Sequence, residues 1–496
     1  MWSYMRGYPT ASNPRSLMRR AKFVTGAHMS TLFRRKIITP QPADQQLART
    51  LSWPHLVALG VGAIVGTGIL TLIGVGADRA GPAVILSFVI AGAICSCAAL
   101  CYAEMSTMIP ASGSAYTYSY VVLGEIIAWV IGWSLMLEYS LVVSTVAVGW
   151  SGYAAPLLEP LGFPHALTQG PPLGGIINAP AIFIIAVVAG LLSVGTKESA
   201  TLNAVLVVVK MLALALFVII ALPHFDAANL HPFMPYGFAK SAEVGPDGAV
   251  VARGVMAAAA IIFFAFYGFD AISTAAEETK NPGRDLAIGI VGSMVACVII
   301  YILIGVTAVG ALHFTEFANS PDPLALILRE VNQPIVATIL AVSAVVALPT
   351  VLLGFLFGQS RIFFTMARDG LLPEGLTVVS KRGSPVRITV VTGILVAAIA
   401  GFAPIDAIAA LANAGTLAAF TAVCVSVLVM RRRAPDAPRT FRTPLAWVVA
   451  PIGIAGCIYL FFSLPTTTAL YFLGWNVFGL LIYFLYARPR MTGAEA

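Results

Sequence analysis

Charge is what this chain has least of. Only 10% of its 496 residues are Asp, Glu, Lys or Arg, while 59% are hydrophobic. A soluble domain carries roughly 25% charged residues, so a water-soluble globule is excluded and a polytopic membrane protein is implied. Cysteine is scarce too. Cys95, Cys97, Cys101, Cys297, Cys424 and Cys457 all lie in apolar runs. They read as small buried hydrophobes, with neither a disulfide framework nor a zinc site. The histidines fall in the N-terminal tail, in loops or near the ends of apolar runs, which leaves no metal constellation. No HExxH pattern and no paired aspartates interrupt the apolar runs, so an intramembrane enzyme lacks its catalytic groups. The polar groups inside those runs are isolated and form no ring-like series, which disfavours a passive channel.

Residues 1–50 form a polar, basic tail without the apolar core of a secretory signal. Met29 would serve as a start in its own right, so residues 1–28 are expected to be disordered or a misassigned start. Hydrophobic runs of spanning length follow at about 55–78, 82–109, 120–152, 180–195, 199–222, 254–276, 285–312, 334–364, 387–403, 405–430, 444–463 and 466–487. The expected fold class is therefore an all-α membrane protein with 12 transmembrane helices. The runs at 120–152 and 334–364 exceed what a bilayer needs and should be tilted or project into loops. The segment at about 223–253 is too short for a soluble domain, and the Pro-rich loop near 155–180 should form an irregular cap. The net charge of +7 is a topology signal rather than a nucleic-acid footprint, because Lys and Arg gather in the tail and in alternate loops. With the N-terminus inside, the outer loops hold only Arg79, Lys240, Arg253 and Arg329. Both termini are expected in the cytoplasm.

The first run contains Gly62-Ala63-Ile64-Val65-Gly66-Thr67-Gly68-Ile69. Each glycine costs roughly 1 kcal/mol relative to alanine in a helix interior, so the middle of this run invites a break. In lipid, a break is tolerated only where the backbone faces protein or a water-filled cavity. The sixth run is interrupted in the same way, by Gly268 and the ionisable Asp270 in Ala265-Phe266-Tyr267-Gly268-Phe269-Asp270. The two breaks sit five runs apart, at matching positions of a five-plus-five arrangement. Paired broken helices meeting at the midplane are a transporter device. The expected organisation is a tail at 1–50, a first inverted repeat at 51–222, a second at 223–430, two further helices within 431–490, and a short tail at 491–496.

Half-helix N-termini offer N–H groups to a carboxylate, and half-helix C-termini offer carbonyls to an ammonium. A free α-amino acid carries both groups on neighbouring atoms. The carboxylate is expected at the amides of Thr67, Gly68 and Ile69, flanked by Gly66. The ammonium is expected at carbonyls near Ile64, Val65, Ala265 and Phe266. Phe266 and Tyr267 offer aromatic surface that could gate the site, although core packing would also explain Phe266. Lys210 lies in the middle of the fifth run, about ten residues from either end. That is too far for easy snorkelling, and an intramembrane lysine is a functional hypothesis by default. It can gain and lose a proton or hold the place of a coupling cation. Glu138, midway along the third run, could meet a substrate cation, relay a proton or balance Lys210. Glu104 and Glu125 lie nearer run ends and suit solvated or structural roles, and helix capping suffices for Asp270. The charged stretches at Glu277–Asp285 and Arg361–Pro373 resemble the two sides of a salt-bridge gate.

Gly60 to Ile69, Gly113-Ser114-Ala115-Tyr116, Gly124-Glu125, the Glu-Glu-x-x-Asn-Pro stretch from Glu277 and Met366-Ala367-Arg368-Asp369-Gly370-Leu371-Leu372-Pro373 together resemble the amino acid–polyamine–organocation superfamily. Within it, the chain looks like bacterial members of the cationic amino acid transporter family, over about residues 45–490. The resemblance implies two inverted five-helix repeats plus two helices. It implies a substrate held between the first and sixth helices, with contributions from the third and eighth. It also implies that Lys210 matches a fifth-helix lysine linked to proton coupling and that Glu138 matches a third-helix glutamate facing the site. A side-chain pocket would fall near Val346 and Thr350. It looks apolar, which suits a neutral side chain better than Arg or Lys. The expected activity is proton-coupled import of α-amino acids across a bacterial inner membrane, with amino-acid exchange and non-transporting sensing as the alternatives. The proton is the coupling ion, with no other cofactor. The expected partners are the substrate and the bilayer, not nucleic acid; a small single-helix membrane partner and the oligomeric state stay open.

Overall fold

Runs of Leu, Ile, Val, Ala and Phe with few polar groups must satisfy their backbone internally, and the helix does this within one segment. The computed structural model describes residues 33–36 and 47–489, apart from residues 71, 159–161, 169, 172–173, 245–249, 319, 321, 381–382, 403–404 and 465. The expectations for residues 1–28 lie outside the described residues. Among those described, nine helices are long and apolar enough to cross a membrane, and three shorter apolar helices join them at Trp53–Ile64, Ala179–Val194 and Val386–Phe402.

In chain order the helices are α1 (Trp53–Ile64), α2 (Thr67–Leu70), α3 (Leu72–Ala80), α4 (Val84–Met108), α5 (Ser114–Val122), α6 (Glu125–Leu158), α7 (Ala179–Val194), α8 (Thr196–Ala221), α9 (Val255–Ile262), α10 (Asp270–Thr274), α11 (Pro282–Ala311), α12 (Phe314–Phe317), α13 (Pro323–Glu330), α14 (Pro334–Ala347), α15 (Pro349–Arg368), α16 (Val386–Phe402), α17 (Ile405–Arg433), α18 (Ala446–Ser463) and α19 (Thr466–Ile482). Between α8 and α9 an antiparallel ribbon pairs Ser241–Val244 with Val250–Arg253. It is a local addition to an otherwise helical molecule. The cap near 155–180 holds a 3-10 turn at His165–Leu167.

One long run resolves differently from its reading in sequence. The run from 120 divides at Gly124, whose φ is +114°. Residues 120–122 belong to α5, and α6 begins at Glu125. A Cβ at Gly124 would lie 3.0 Å from the backbone of Phe33, so glycine allows both the turn and the close approach. The run from 334 remains one long apolar span, Pro334–Arg368, as expected; its hydrogen bonding is interrupted at Leu348, because Pro349 opens α15 and cannot donate to the preceding turn.

Burial separates a central group from a peripheral one. The most apolar windows of Glu125–Ser151 and Val255–Thr274 are 78% buried, against 22% for that of Thr467–Ala487. The broken first run sits in the centre, where α1 packs against α8, α11 and α15. The sixth run follows α9 with a 3-10 turn at Phe263–Ala265 and then leaves the helix until Asp270.

A candidate substrate site between two broken helices

The first break starts at Val65, whose φ of −77° and ψ of 100° are extended. The helix resumes when Leu70 N–H donates to Gly66 O at 3.2 Å. The amides of Thr67, Gly68 and Ile69 precede that bond and have no partner within the new turn. The second break turns at Gly268, with φ +123°. The two breaks touch. A Cβ on Gly68 would lie 2.5 Å from Cα and Cβ of Ala265, and one on Gly268 would lie 3.0 Å from the carbonyl carbon of Ala63.

Tyr301, on α11, joins the breaks. Its hydroxyl lies 2.8 Å from Ile64 O and 3.0 Å from Ala265 O, the carbonyls that end the two first halves. Lys210 is only 4% exposed. Its ammonium donates to Gly62 O at 2.9 Å, to Val65 O and to Thr350 Oγ1 at 2.8 Å. An ammonium has three N–H donors, and these three contacts use them all. A cation at the C-terminal end of a half-helix is favoured by the helix dipole as well.

The sixth break carries the opposite charge. Asp270 is fully buried at the start of α10. Its carboxylate accepts Gly268 N–H at 3.1 Å and the Tyr139 hydroxyl from α6. The helix-capping role expected of it is not seen: the bonded amide is that of Gly268, which precedes the helix, and among the described residues no side chain caps α10. Glu138 is also fully buried, with Asp270 as its charged neighbour. Among the described residues neither Glu138 oxygen has a hydrogen-bond partner. The nearby Thr416 hydroxyl donates instead to Ala412 O at 3.3 Å.

A narrow cavity lies against both breaks, lined by Ala63, Ile64, Gly66 and Gly68, by Val142 and Val146 of α6, by Phe264 and Tyr267, and by Val351 and Phe355 of α15. It leaves about 10 Å³ for the centre of a water-sized sphere, room for about one water. The site is therefore nearly closed in this conformation. A second cavity of similar size, on the Lys210 side, is lined by Val65, Leu70, Ala213, Leu340 and Ala347 among others.

The structure brings Ile64, Gly66, Gly68 and Tyr267 to the cavity wall, with Val65 one residue away. Thr67 and Ile69 follow in α2, while Ala265 and Gly268 form the crossing. Phe266 lies elsewhere, in the core against Phe88 and Tyr301 at 6.1 and 5.0 Å between ring centres; Phe264 takes the cavity-facing place. Val346 is 40% exposed, and Thr350 faces Lys210, so neither lines this cavity. The α15 wall begins one residue later, at Val351. Glu138 also stands back from the wall, one turn before Val142. Tyr139, Tyr301, Val142 and Val351 were invisible as site residues in sequence, where each reads as one more apolar core position. The one available signal was that a tyrosine hydroxyl deep in an apolar run must find a partner.

The arginine-rich end is closed by ion pairs. Arg368 is bidentate on Glu277 at 2.6 and 2.7 Å, and Arg361 on Glu278 at 3.0 Å for both bonds, with both side chains of the second pair fully buried. These join the two stretches read as sides of a gate. Leu51, just before α1, pairs with Thr279 in a parallel bridge. Glu104 and Glu125 are structural, as their positions suggested. Glu104 accepts from Arg431, Arg439 and the Thr443 amide, and Glu125 accepts from Tyr120 and Tyr483.

A family model described as amino acid permease matches residues 51–486. The methylthioribose transporter of Bacillus subtilis is 42% identical over 471 residues, covering 93% of this chain and 99% of that protein. The branched-chain amino acid permease BcaP of the same organism is 42% identical over 473 residues, with 93% and 98% covered. The vacuolar cationic amino acid transporter 2 of Arabidopsis thaliana is 39% identical over 420 residues, with 82% and 64% covered.

Proposed function

Because this chain belongs to the amino acid permease family, a family of transporters rather than enzymes, we propose that it carries neutral α-amino acids across a bacterial inner membrane by proton-coupled alternating access. Both termini face the cytoplasm. Twelve crossings form two inverted repeats, residues 51–222 and 223–430, with the last two helices added. The substrate carboxylate rests on the amides of Thr67, Gly68 and Ile69. Its ammonium meets the carbonyls at Ile64, Val65, Ala265 and Phe266, which keep a second lone pair beside any bond from Tyr301 or Lys210. Its side chain points toward Val142, Val146, Val351 and Phe355, with Tyr267 and Phe264 closing over it. An aliphatic or thioether side chain fits that wall; a guanidinium would be buried there without a partner. The relatives named for branched-chain amino acids and for methylthioribose support an apolar side-chain subsite.

The observation that carries the coupling reading is the Lys210 ammonium spending all three N–H groups on the first break and Thr350. Loss of its proton leaves two N–H donors for two carbonyls, so the Thr350 contact must reverse: the hydroxyl has to turn from Ala347 O and Gly62 O to donate to the amine, or the contact is lost. Protonation therefore biases the hold on α1, and a ligand that prefers one state of that hold shifts the equilibrium. Glu138, without a hydrogen-bond partner among the described residues, serves as the second proton acceptor. No other cofactor is required. The ion pairs of Glu277 and Glu278 form the cytoplasmic gate.

The test is uptake of labelled leucine, methionine, lysine and methylthioribose into proteoliposomes, with and without an inward proton gradient. Gradient-driven uptake of leucine or methionine is expected, with lysine excluded. Lys210→Ala should lose the response to the gradient, with residual transport at least about fivefold lower if one buried contact of about 1–3 kcal/mol is left unmade. Uptake that ignores the gradient and needs internal amino acid would replace symport with exchange. Saturable binding without uptake would favour a sensor. Uptake of methylthioribose alone would place this chain's substrate with that relative's, and the carboxylate seat would fall.

A further inference from the structure

Residues 33–36 run as a strap across the arginine-rich end. The Phe33 backbone lies against Gly124. Arg34 O accepts the Glu125 amide at 3.0 Å, and the Lys36 amide donates to Tyr120 O at 3.3 Å. The Lys36 ammonium sits on both oxygens of Asp369 at 2.5 and 2.7 Å, and Tyr116 donates to the same carboxylate at 2.8 Å. Arg34 has Glu125 within 3.4 Å. Two of the strap's three cations thus have a carboxylate.

Arg35 has none. Its Nε is sealed from solvent and, among the described residues, without a hydrogen-bond partner. Burial first, and the charge of Arg433 second, hold Arg35 below the ordinary guanidinium value. Arg433 ends α17, and its own bond goes to a neutral group, Val122 O at 3.0 Å. Bonds from the neighbouring Lys36 amide to Tyr120 O and from Arg433 to Val122 O bring both residues to the end of α5, and among the described residues no carboxylate pairs with either guanidinium. Such an arrangement costs free energy unless an anion bridges the pair, and guanidinium forks match phosphate oxygens in geometry and charge.

The depth of the pair names the source of the anion. Arg432, next to Arg433, lies over the ring of Trp447 at 5.3 Å, and Trp447 is half exposed in the first turn of α18. Exposed tryptophans at helix ends mark the headgroup layer, and an anionic leaflet draws basic residues to its surface. We propose that Arg35 and Arg433 form a phosphate site for an anionic phospholipid headgroup. Its occupation pins the strap, and through Lys36 and Asp369 it steadies the end closed by Arg368 and Glu277. The site itself stands apart from the transport reading; only its effect on gating rests on that reading.

The test uses the purified full chain in phosphatidylcholine nanodiscs titrated with phosphatidylglycerol, reading thermal stability, with inorganic phosphate in a parallel arm. Phosphatidylglycerol should stabilise the wild type. Arg35→Gln should weaken the apparent affinity about fivefold, the factor expected for one basic residue near the surface. Arg387→Gln, an exposed change in the first turn of α16, should leave it unchanged. Arg35→Glu brings a carboxylate to Arg433. It should be at least as stable as wild type in phosphatidylcholine alone and indifferent to phosphatidylglycerol. Equal losses for Arg35→Gln and Arg387→Gln would mean diffuse attraction and would overturn the site. Equal stabilisation by inorganic phosphate in neutral lipid would overturn the lipid assignment. If the stability arm succeeds while leucine uptake is absent, the site survives and the transport reading fails.

Discussion

The two breaks are alike in backbone and opposite in side-chain charge. At the first, a cation lies on the carbonyls that end α1: Lys210 on Gly62 O and Val65 O. At the second, an anion lies at the amide that precedes α10: Asp270 on Gly268 N–H. Each charge complements the helix end it faces. The difference lies in what each hold answers to. Lys210 reaches in from a separate helix, α8, so its hold on α1 is contingent on that contact. Asp270 is part of the broken chain, and among the described residues its carboxylate is held from outside by Tyr139. The first break is thus a joint controlled by another helix, while the second is held largely by its own chain, through Asp270 and Gly268.

The largest effect is expected where the breaks cross. In Gly68→Ala the new methyl would stand 2.5 Å from Cα of Ala265, a backbone atom that cannot rotate away. Overpacking of this kind costs about 1–3 kcal/mol or more, so leucine uptake should fall at least about fivefold, and up to about a hundredfold. Gly190→Ala, in α7 with nothing within 4 Å of the added carbon, should transport as wild type. Near-normal transport by Gly68→Ala would mean that the close crossing is dispensable.

Tyr301→Phe sharpens the comparison, because it removes a hydroxyl that reaches carbonyls of both breaks. A hydroxyl has one proton, so it serves Ile64 O or Ala265 O at any moment. Its loss leaves the first break with Lys210 and the second with the bond between Asp270 and Gly268. A cost of about 1–3 kcal/mol is expected for the buried acceptors, read as a lower melting temperature. Uptake should fall several-fold while its response to the proton gradient persists. A variant that lost that response would move the coupling role from Lys210 toward Tyr301.

The sequence made much of this legible, for physical reasons. Helix breakers in lipid are costly, so Gly66, Gly68 and Gly268 stood out, and so did Lys210 and Asp270 as charges in apolar runs. The pairing of the charged stretches near Glu277 and Arg368 followed from their turn residues and opposite signs. The faces of apolar helices were much less legible. Val142, Val146, Phe264 and Val351 look like their lipid-facing neighbours, since composition varies little around such a helix. The reading of Val346 failed at a specific place. Pro349 starts a new helix, and the cavity wall from that run begins beyond it, at Val351. The ribbon between α8 and α9 was missed because two four-residue strands leave almost no periodic signal.

The smallest effect is expected at the arginine-rich end, where the two broken runs meet again through Leu51 and Thr279. Glu277 and Arg368 form a largely buried bidentate pair, but glutamine keeps a neutral acceptor for Arg368 and one hydrogen bond is worth about 1 kcal/mol net, so Glu277→Gln should change the uptake rate no more than about fivefold. The pH dependence is more telling. Burial pushes the Glu277 carboxyl up, but its bonds to Arg368 and the Ser112 amide prevail and hold it below the ordinary value of 4.5. A depressed acid contributes its stabilisation fully above the ordinary value and loses it only as pH falls through the lower one. Between pH 7 and pH 5.5, therefore, this pair stays charged and closed. A change in transport over that interval is therefore not expected from this pair and should be the same in wild type and Glu277→Gln. A pH response that disappeared in Glu277→Gln but survived in Lys210→Ala would reverse the assignment, placing the proton-sensitive element at the gate instead of at the first break.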